Sequence, residues 1–305
     1  MDSSPCTTFR PPCQALDPKA FALEAAEQWA LERTSKLSAD LFRLTSFWYI
    51  DFIIQHVPGE RKTRYTARLA QSENYGIAFG LSSALKTDHA LALQDADHEL
   101  VGEDSREILK HRRYRTDMDR TALIDLVIGQ VSTQADDQVI LNDPRRDKYA
   151  IKSRLFADEA EVALRRKGSG ALKGNKPHAH VIGAMAGTHA ALIARGFQVT
   201  AADMSSDVVG RVLGGVMVSD GTENRKFIER ADLVIITGMT LPNRTLPDLL
   251  EIAKVNNTST MMWSVTGRNF GYYFVQHGID CVISDPLPFL MLPGPARIGI
   301  WRRER

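Results

Sequence analysis

The chain has 305 residues, 44% of them hydrophobic, with 38 Lys plus Arg against 37 Asp plus Glu and a net charge of +1. That balance excludes an electrostatic case for nucleic acid or an anionic membrane surface, and the composition supports a core sufficient for one large domain or two ordinary ones. Three cysteines, Cys6, Cys13 and Cys281, exclude a disulfide framework at this length.

Residues 1–16 hold Cys6 and Cys13 among Pro and Ser, lack the apolar stretch of a secretory signal, and read as a disordered leader. No apolar run reaches spanning length, so a cytoplasmic location is expected. Residues 17–170 read as a mainly helical cover region. Asp17-Pro18 caps a helix carrying Phe21, Leu23, Ala26, Trp29, Ala30 and Leu31 at near-helical spacing. Further helices are expected over Ser38–His56, Glu103–Met118, Asp119–Val131 and Lys148–Lys167. Asp136–Leu141 is a short apolar run that ends in the turn Asn142-Asp143-Pro144. The pair Gly168 and Gly170 marks the domain boundary.

Residues 171–305 read as a Rossmann-like nucleoside-binding domain. Strands are expected at Ala179–Gly183, Gln198–Ala202, Gly215–Val218, Leu233–Thr237, Thr260–Val265, Cys281–Ile283 and Arg297–Trp301. Helices fit between them at Thr188–Arg195, Ser206–Leu213, Glu223–Arg230, Leu246–Val255 and Arg268–His277. This alternation specifies an α/β fold with a mostly parallel, doubly wound Rossmann-like sheet, the last strand being antiparallel at an edge.

The first turn of that domain is Gly183-Ala184-Met185-Ala186-Gly187, with two glycines where a dinucleotide fingerprint has three. It suits a nucleoside without phosphates, such as S-adenosylmethionine, over NAD. Asp203, 20 residues after Gly183, is placed to accept from ribose hydroxyls. Met204 is placed to pack on adenine, and Ser219 and Asp220 to read its edge. Beyond the fourth strand, Thr237, Gly238, Met239, Thr240 and Asn243 face the same crevice, and Thr245 is a helix N-cap.

The segment Thr237-Gly-Met-Thr-Leu-Pro-Asn-Arg-Thr-Leu246 resembles the signature of the Rossmann-like family described as a putative heavy-metal-chelation domain. The resemblance spans roughly the last 130 residues and implies fold rather than reaction. His178 and His180 share a strand face, as metal ligands would, but a lone His-x-His more often serves as ordinary strand histidines. His277 and Cys281 bracket a helix end and a strand, the cysteine reading as core.

The layout also resembles the class I methyltransferase-like azetidine-2-carboxylate synthases of bacterial nonribosomal-peptide clusters. That resemblance implies cyclisation of S-adenosylmethionine, as substrate or cosubstrate and with no metal required, releasing methylthioadenosine. Phe47, Trp48 and Tyr49 would then hold the sulfonium by cation–π contact. Trp48, Tyr49 and Asn142 are the catalytic candidates, with Asp143 beside Asn142, Asp51 as a proton acceptor, and Arg64, Arg68 or Arg115 on a carboxylate. The alternatives are a small-molecule methyltransferase and a metal- or ligand-binding protein without catalysis. The expected partner is a small-molecule substrate, without nucleic acid or membrane, and homodimerisation is left open.

Overall fold

The computed structural model describes residues 14–54, 63–81, 98–132, 134–141, 145–167, 172–285 and 295–304. The Asp17 carboxylate accepts from the Lys19 N–H at 3.2 Å and opens a 3-10 turn, Pro18–Phe21, which leads into α1, Leu23–Thr34. The helix expected over Ser38–His56 is not one. A 3-10 turn, Ala39–Phe42, is followed by strand β1, Ser46–Ile54. The reason lies in the run Phe47-Trp-Tyr-Ile, aromatic and β-branched, which suits a pleated surface. Neighbouring side chains on it face opposite ways, Phe47 being 5% exposed and Trp48 49%.

β1 pairs antiparallel with β2, Thr63–Gln71, which pairs antiparallel with β3, Tyr75–Leu81. Two helices follow, α2, Ser105–Lys110, and α3, Asp117–Gly129. Thr116 caps α3 with a capping box: its hydroxyl accepts from the Asp119 N–H at 3.1 Å and the Asp119 carboxylate accepts from the Thr116 N–H at 3.0 Å. The N-terminal region is therefore helix plus sheet rather than mainly helix.

The remaining elements build one large sheet. They are β4, Asp137–Leu141; α4, Arg145–Lys167; β5, His178–Ile182; α5, Ala186–Ala194; β6, Gln198–Asp203; β7, Val212–Leu213; β8, Val216–Asp220; and α6, Asn224–Ile228. Then come β9, Leu233–Thr237; α7, Leu246–Val255; β10, Ser259–Ser264; α8, Gly271–Gln276; β11, Cys281–Ser284; and β12, Ala296–Arg302. Their order is β4-β12-β11-β10-β9-β5-β6-β8-β7. The strands from β8 through β6, β5, β9 and β10 to β11 are mutually parallel, in the doubly wound order that reverses between β5 and β9.

Two expectations are corrected here. β12 is antiparallel but not at the edge, because β4 pairs along its outer side, Leu141 opposite Ala296. No helix covers Ser206–Leu213. Gly214 and Gly215, at φ +59° and +85°, instead make the two-residue turn of a β7–β8 hairpin.

The parallel strands are apolar on both faces, as a doubly covered sheet requires. Val234 and Ile236 of β9 join the core beneath Leu249 and Leu250 of α7 and Phe274 of α8. Leu233 and Ile235 join the opposite core, with Phe156 and Ala160 of α4 and Leu192 of α5. The three-stranded sheet also has two apolar faces. Phe47, Ala70 and Ala78 share a core with α3, while Ala67, Leu69, Ile77 and Phe79 join the core that holds Phe156 and Met185.

Hydrogen bonds from its backbone fix this small sheet to the turn after β10. The Gly267 N–H donates to the Ile77 carbonyl at 3.0 Å, and the Phe79 N–H to the Thr266 hydroxyl at 2.8 Å. Asp125 of α3 bridges them, accepting from the Ile77 N–H at 2.9 Å and the Asn269 N–H at 2.7 Å. The small sheet is thereby held at the carboxyl ends of the parallel strands, where open α/β sheets bind ligands. Among the described residues no helix is long and apolar enough to cross a membrane.

Candidate functional site

Gly183 leaves β5 at φ +115°, and a Cβ there would lie 2.7 Å from Thr237 Cγ2, so the turn closes tightly on β9. Asp203, at the end of β6, accepts from the Ala184 N–H at 2.9 Å through Oδ2 and from the Ser205 N–H at 2.8 Å through Oδ1. Its carboxylate thus fastens the turn after β5 to the turn after β6. Burial, with the nearby charges of Asp203 and Asp207, raises the phenol of Tyr65 on β2.

Met185 is 4% exposed and packs into the core rather than over the turn. Gly187 lies under α4, where a Cβ would stand 2.7 Å from the Tyr149 ring, and its N–H donates to the Tyr149 hydroxyl. The first turn of α5 is therefore covered by a tyrosine where a phosphate would otherwise approach.

The other residues expected here divide between the strand ends and solvent. Asp220 caps its own turn, accepting from the Thr222 N–H at 2.8 Å and hydroxyl at 2.6 Å, with Ser219 beside it in β8. Gly238, Met239 and Thr240 form a 3-10 turn, in which the Thr240 hydroxyl donates to the Thr237 carbonyl at 2.8 Å. Thr245 occupies the N-cap position of α7 without a side-chain bond. Met204 is 60% exposed, and Asn243 is exposed.

The aromatic triplet divides by strand face. Phe47 and Tyr49 point toward α3 and lie 3.4 and 4.0 Å, ring centre to guanidinium carbon, from the fully buried Arg68. Arg68 Nε is 2.9 Å from Asp119 Oδ1, and the Tyr49 hydroxyl donates to the same oxygen at 3.0 Å. The cation these rings hold is the protein's own. Trp48 alternates to the other face, that of Leu69 and Ile77, away from both rings. Arg115 is exposed. Asn142 and Asp143, and the side chains of Asp51 and Arg64, lie outside the described residues.

The sequence reading missed the most concentrated chemistry, which lies at the carboxyl ends of β10 and β11 beneath α4. Lys152 Nζ is 3.0 Å from Asp285 Oδ2 and 3.8 Å from the centre of the Trp263 ring. The Lys152 and Asp285 side chains are 5% and 0% exposed. Burial lowers the Lys152 ammonium, an effect opposed by the Asp285 charge and hydrogen bond. Two polar atoms around this amine, Asp285 Oδ1 and Trp263 Nε1, are buried with no hydrogen-bond partner among the described residues. Native proteins leave few such atoms unpaired, and those they leave often sit at sites of function. Asp285 directly follows a parallel strand, a position that carries ligand contacts in this architecture and was the available signal. Nothing in the sequence singled out Lys152 on its helix.

Of the donors named for metal, His178, His180 and Cys281 are engaged elsewhere, and both ring nitrogens of His277 are buried with no hydrogen-bond partner among the described residues. His178 Nδ1 donates to the Arg230 carbonyl at 3.3 Å, and both His178 and His180 meet the Thr200 hydroxyl at 3.0 Å. His180 also meets Asn224 Oδ1 at 2.9 Å, and burial pushes its pKa down to about 4. The Cys281 thiol is raised by burial and by Glu159, whose carboxylate is held by Arg302 at 2.6 and 2.7 Å. Among the described residues no three of His, Cys, Asp and Glu stand close enough to hold a metal ion.

The chain can now be set beside known proteins. The model of the family DUF364, described as putative heavy-metal chelation, matches residues 173–282. No curated protein matches. Among solved structures, the chain is similar to a DUF364 protein of unknown function from Pyrococcus horikoshii, at 13% identity over 86% of each chain with a TM-score of 0.53. It is also similar to a DUF364 protein of unknown function from Desulfitobacterium hafniense DCB-2, at 15% identity over 89% of this chain and 99% of that one, TM-score 0.46.

These findings correct the cofactor assignment. A family described by heavy-metal chelation overturns the expectation that no metal is required, and S-adenosylmethionine use has no support among the relatives. Azetidine-2-carboxylate synthesis has none either. Residues 173–282 match the DUF364 domain, and the chain shares the mixed α/β fold of the Pyrococcus horikoshii protein, with its largely parallel central sheet.

Proposed function

We propose that this protein binds a small, neutral, polar organic molecule at the carboxyl ends of β10 and β11 and acts on it there as an enzyme. One observation carries the reading: a buried acceptor, Asp285 Oδ1, and a buried donor, Trp263 Nε1, lack partners on the two residues that contact the Lys152 amine. A ligand offering a donor beside an acceptor would satisfy both. The Lys152–Asp285 pair already balances its own charge, and a charged ligand would bring an uncompensated charge into a buried site, so a neutral one is favoured.

Thermal-shift screening with neutral amides, ureas, nucleosides and carbonyl compounds tests this, with nucleotides and carboxylates as charged controls. A neutral compound is expected to raise the melting temperature of the wild type. Trp263→Phe keeps a ring over Lys152 but removes the N–H, and binding should weaken about five-fold or more, the scale of one hydrogen bond. Equal shifts in both proteins would dismiss the site.

The family description favours a second reading, heavy-metal chelation. Among the described residues the donors do not gather to support it. Equilibrium dialysis against zinc, nickel or cobalt with elemental analysis discriminates the two: stoichiometric metal would favour chelation.

A further inference from the structure

The Lys152 amine has the surroundings of a nucleophile as well as those of a buried cation. It lies at hydrogen-bond distance from a carboxylate, 3.0 Å from Asp285 Oδ2, which can take its proton. It also lies over the face of the Trp263 indole, 3.8 Å from the ring centre, and the N–H of that indole is unengaged among the described residues. The neighbouring Tyr149 ring is centred 6.0 Å from Nζ, and Tyr149 is 47% exposed, so the amine is one side chain from solvent. An amine, a proton acceptor and a donor for a carbonyl oxygen are the three groups that imine formation uses.

Building on the small-molecule site above, we infer that Lys152 captures a carbonyl compound, an aldehyde or ketone, as an imine. Asp285 Oδ2 first takes a proton from the ammonium. The freed amine nitrogen attacks the carbonyl carbon, forming the C–N bond, while Trp263 Nε1–H supports the oxygen as charge develops on it. The oxygen takes the proton back from Asp285, giving a carbinolamine. Loss of a second nitrogen-bound proton and of the hydroxyl then expels one water and leaves the C=N bond. No oxidation state changes. A buried, partly desolvated ammonium gives up its proton more readily than a surface one, which supports this order of events.

The test is reductive trapping on the full chain. Wild-type protein is incubated separately with acetaldehyde, acetone, glyceraldehyde and dihydroxyacetone, all neutral carbonyl compounds, then treated with sodium cyanoborohydride, digested and mapped by mass spectrometry. The inference expects the reduced adduct predominantly on Lys152, in excess over an exposed lysine such as Lys254, because burial lowers its ammonium and a carboxylate stands 3.0 Å away to take the proton. Lys152→Arg keeps the charge toward Asp285 and cannot form an imine, so its map should lack only that adduct. Adducts spread over surface lysines, with Lys152 unmodified, would overturn the inference. A melting shift by a carbonyl compound without any adduct on Lys152 would also overturn the imine while leaving the binding site standing. An adduct on Lys152 with unaltered yield in Trp263→Phe would overturn the role given to the indole.

Discussion

Arg68 has no exposed surface, yet it carries a charge, and its neighbours account for this: two ring faces and the Asp119 carboxylate surround the guanidinium. Removing one member of such a buried pair leaves the other uncompensated. Arg68→Met is expected to cost about 3 kcal/mol of stability in urea unfolding, the low end for a broken buried pair, because Asp119 keeps its bonds from Thr116 and Tyr49. Trp48→Ala, on the opposite and half-exposed face, should cost under about 1 kcal/mol. The chemistry of the triplet was legible in its residues, since aromatic faces hold cations. Which cation was not, because the partner is 19 positions from Tyr49 on another strand and only strand pairing brings the two opposite each other.

At the scale of elements, the strands and helices after residue 178, apart from the helix expected over Ser206–Leu213, were legible because each apolar run ends at a turn residue and strand alternates with helix. The first half was harder. Ser46–Ile54 is apolar on both faces of its strand, which blurs the period-two signal, and the pairing that decides the matter is non-local. The Gly214-Gly215 turn signal was present, and a hairpin was there to be read.

The joint between α3 and β3 gives a pH signature. Burial pushes Asp125 up to about 7 from an ordinary 3.8, against the backbone N–H groups of Asn269 and Ile77 that favour its charge. A carboxyl that holds its proton more tightly when folded stabilises fully below its unfolded pKa, and that contribution is lost as pH rises through the folded value. Asp125 should therefore contribute less stability at each step from pH 4 to pH 7. Melting temperatures of Asp125→Asn measured across that window should lack this decline relative to wild type. A parallel pH profile in both proteins would show that Asp125 does not titrate there.

At the scale of the molecule, the doubly wound order puts the ends of β10 and β11 on the same rim as the Gly183 turn, and α4 closes over both. The rim was legible from the alternation of elements. The site on it was not, because its lysine reaches Asp285 from a helix 133 positions earlier. Pinning α4 to the sheet by a buried ion pair has a testable consequence. Lys152→Met alone should cost about 3–5 kcal/mol, while Lys152→Met with Asp285→Leu should recover much of that, because the lone buried charge is gone. If the double variant proves no more stable than the single, the pair is not held as described.

The most direct measurement is a crystal structure of the protein with the neutral compound that raises its melting temperature furthest. The account predicts that compound in contact with Lys152, with its donor and acceptor atoms about 3 Å from Asp285 Oδ1 and Trp263 Nε1. Water alone on those two atoms, with the compound bound elsewhere, would contradict it.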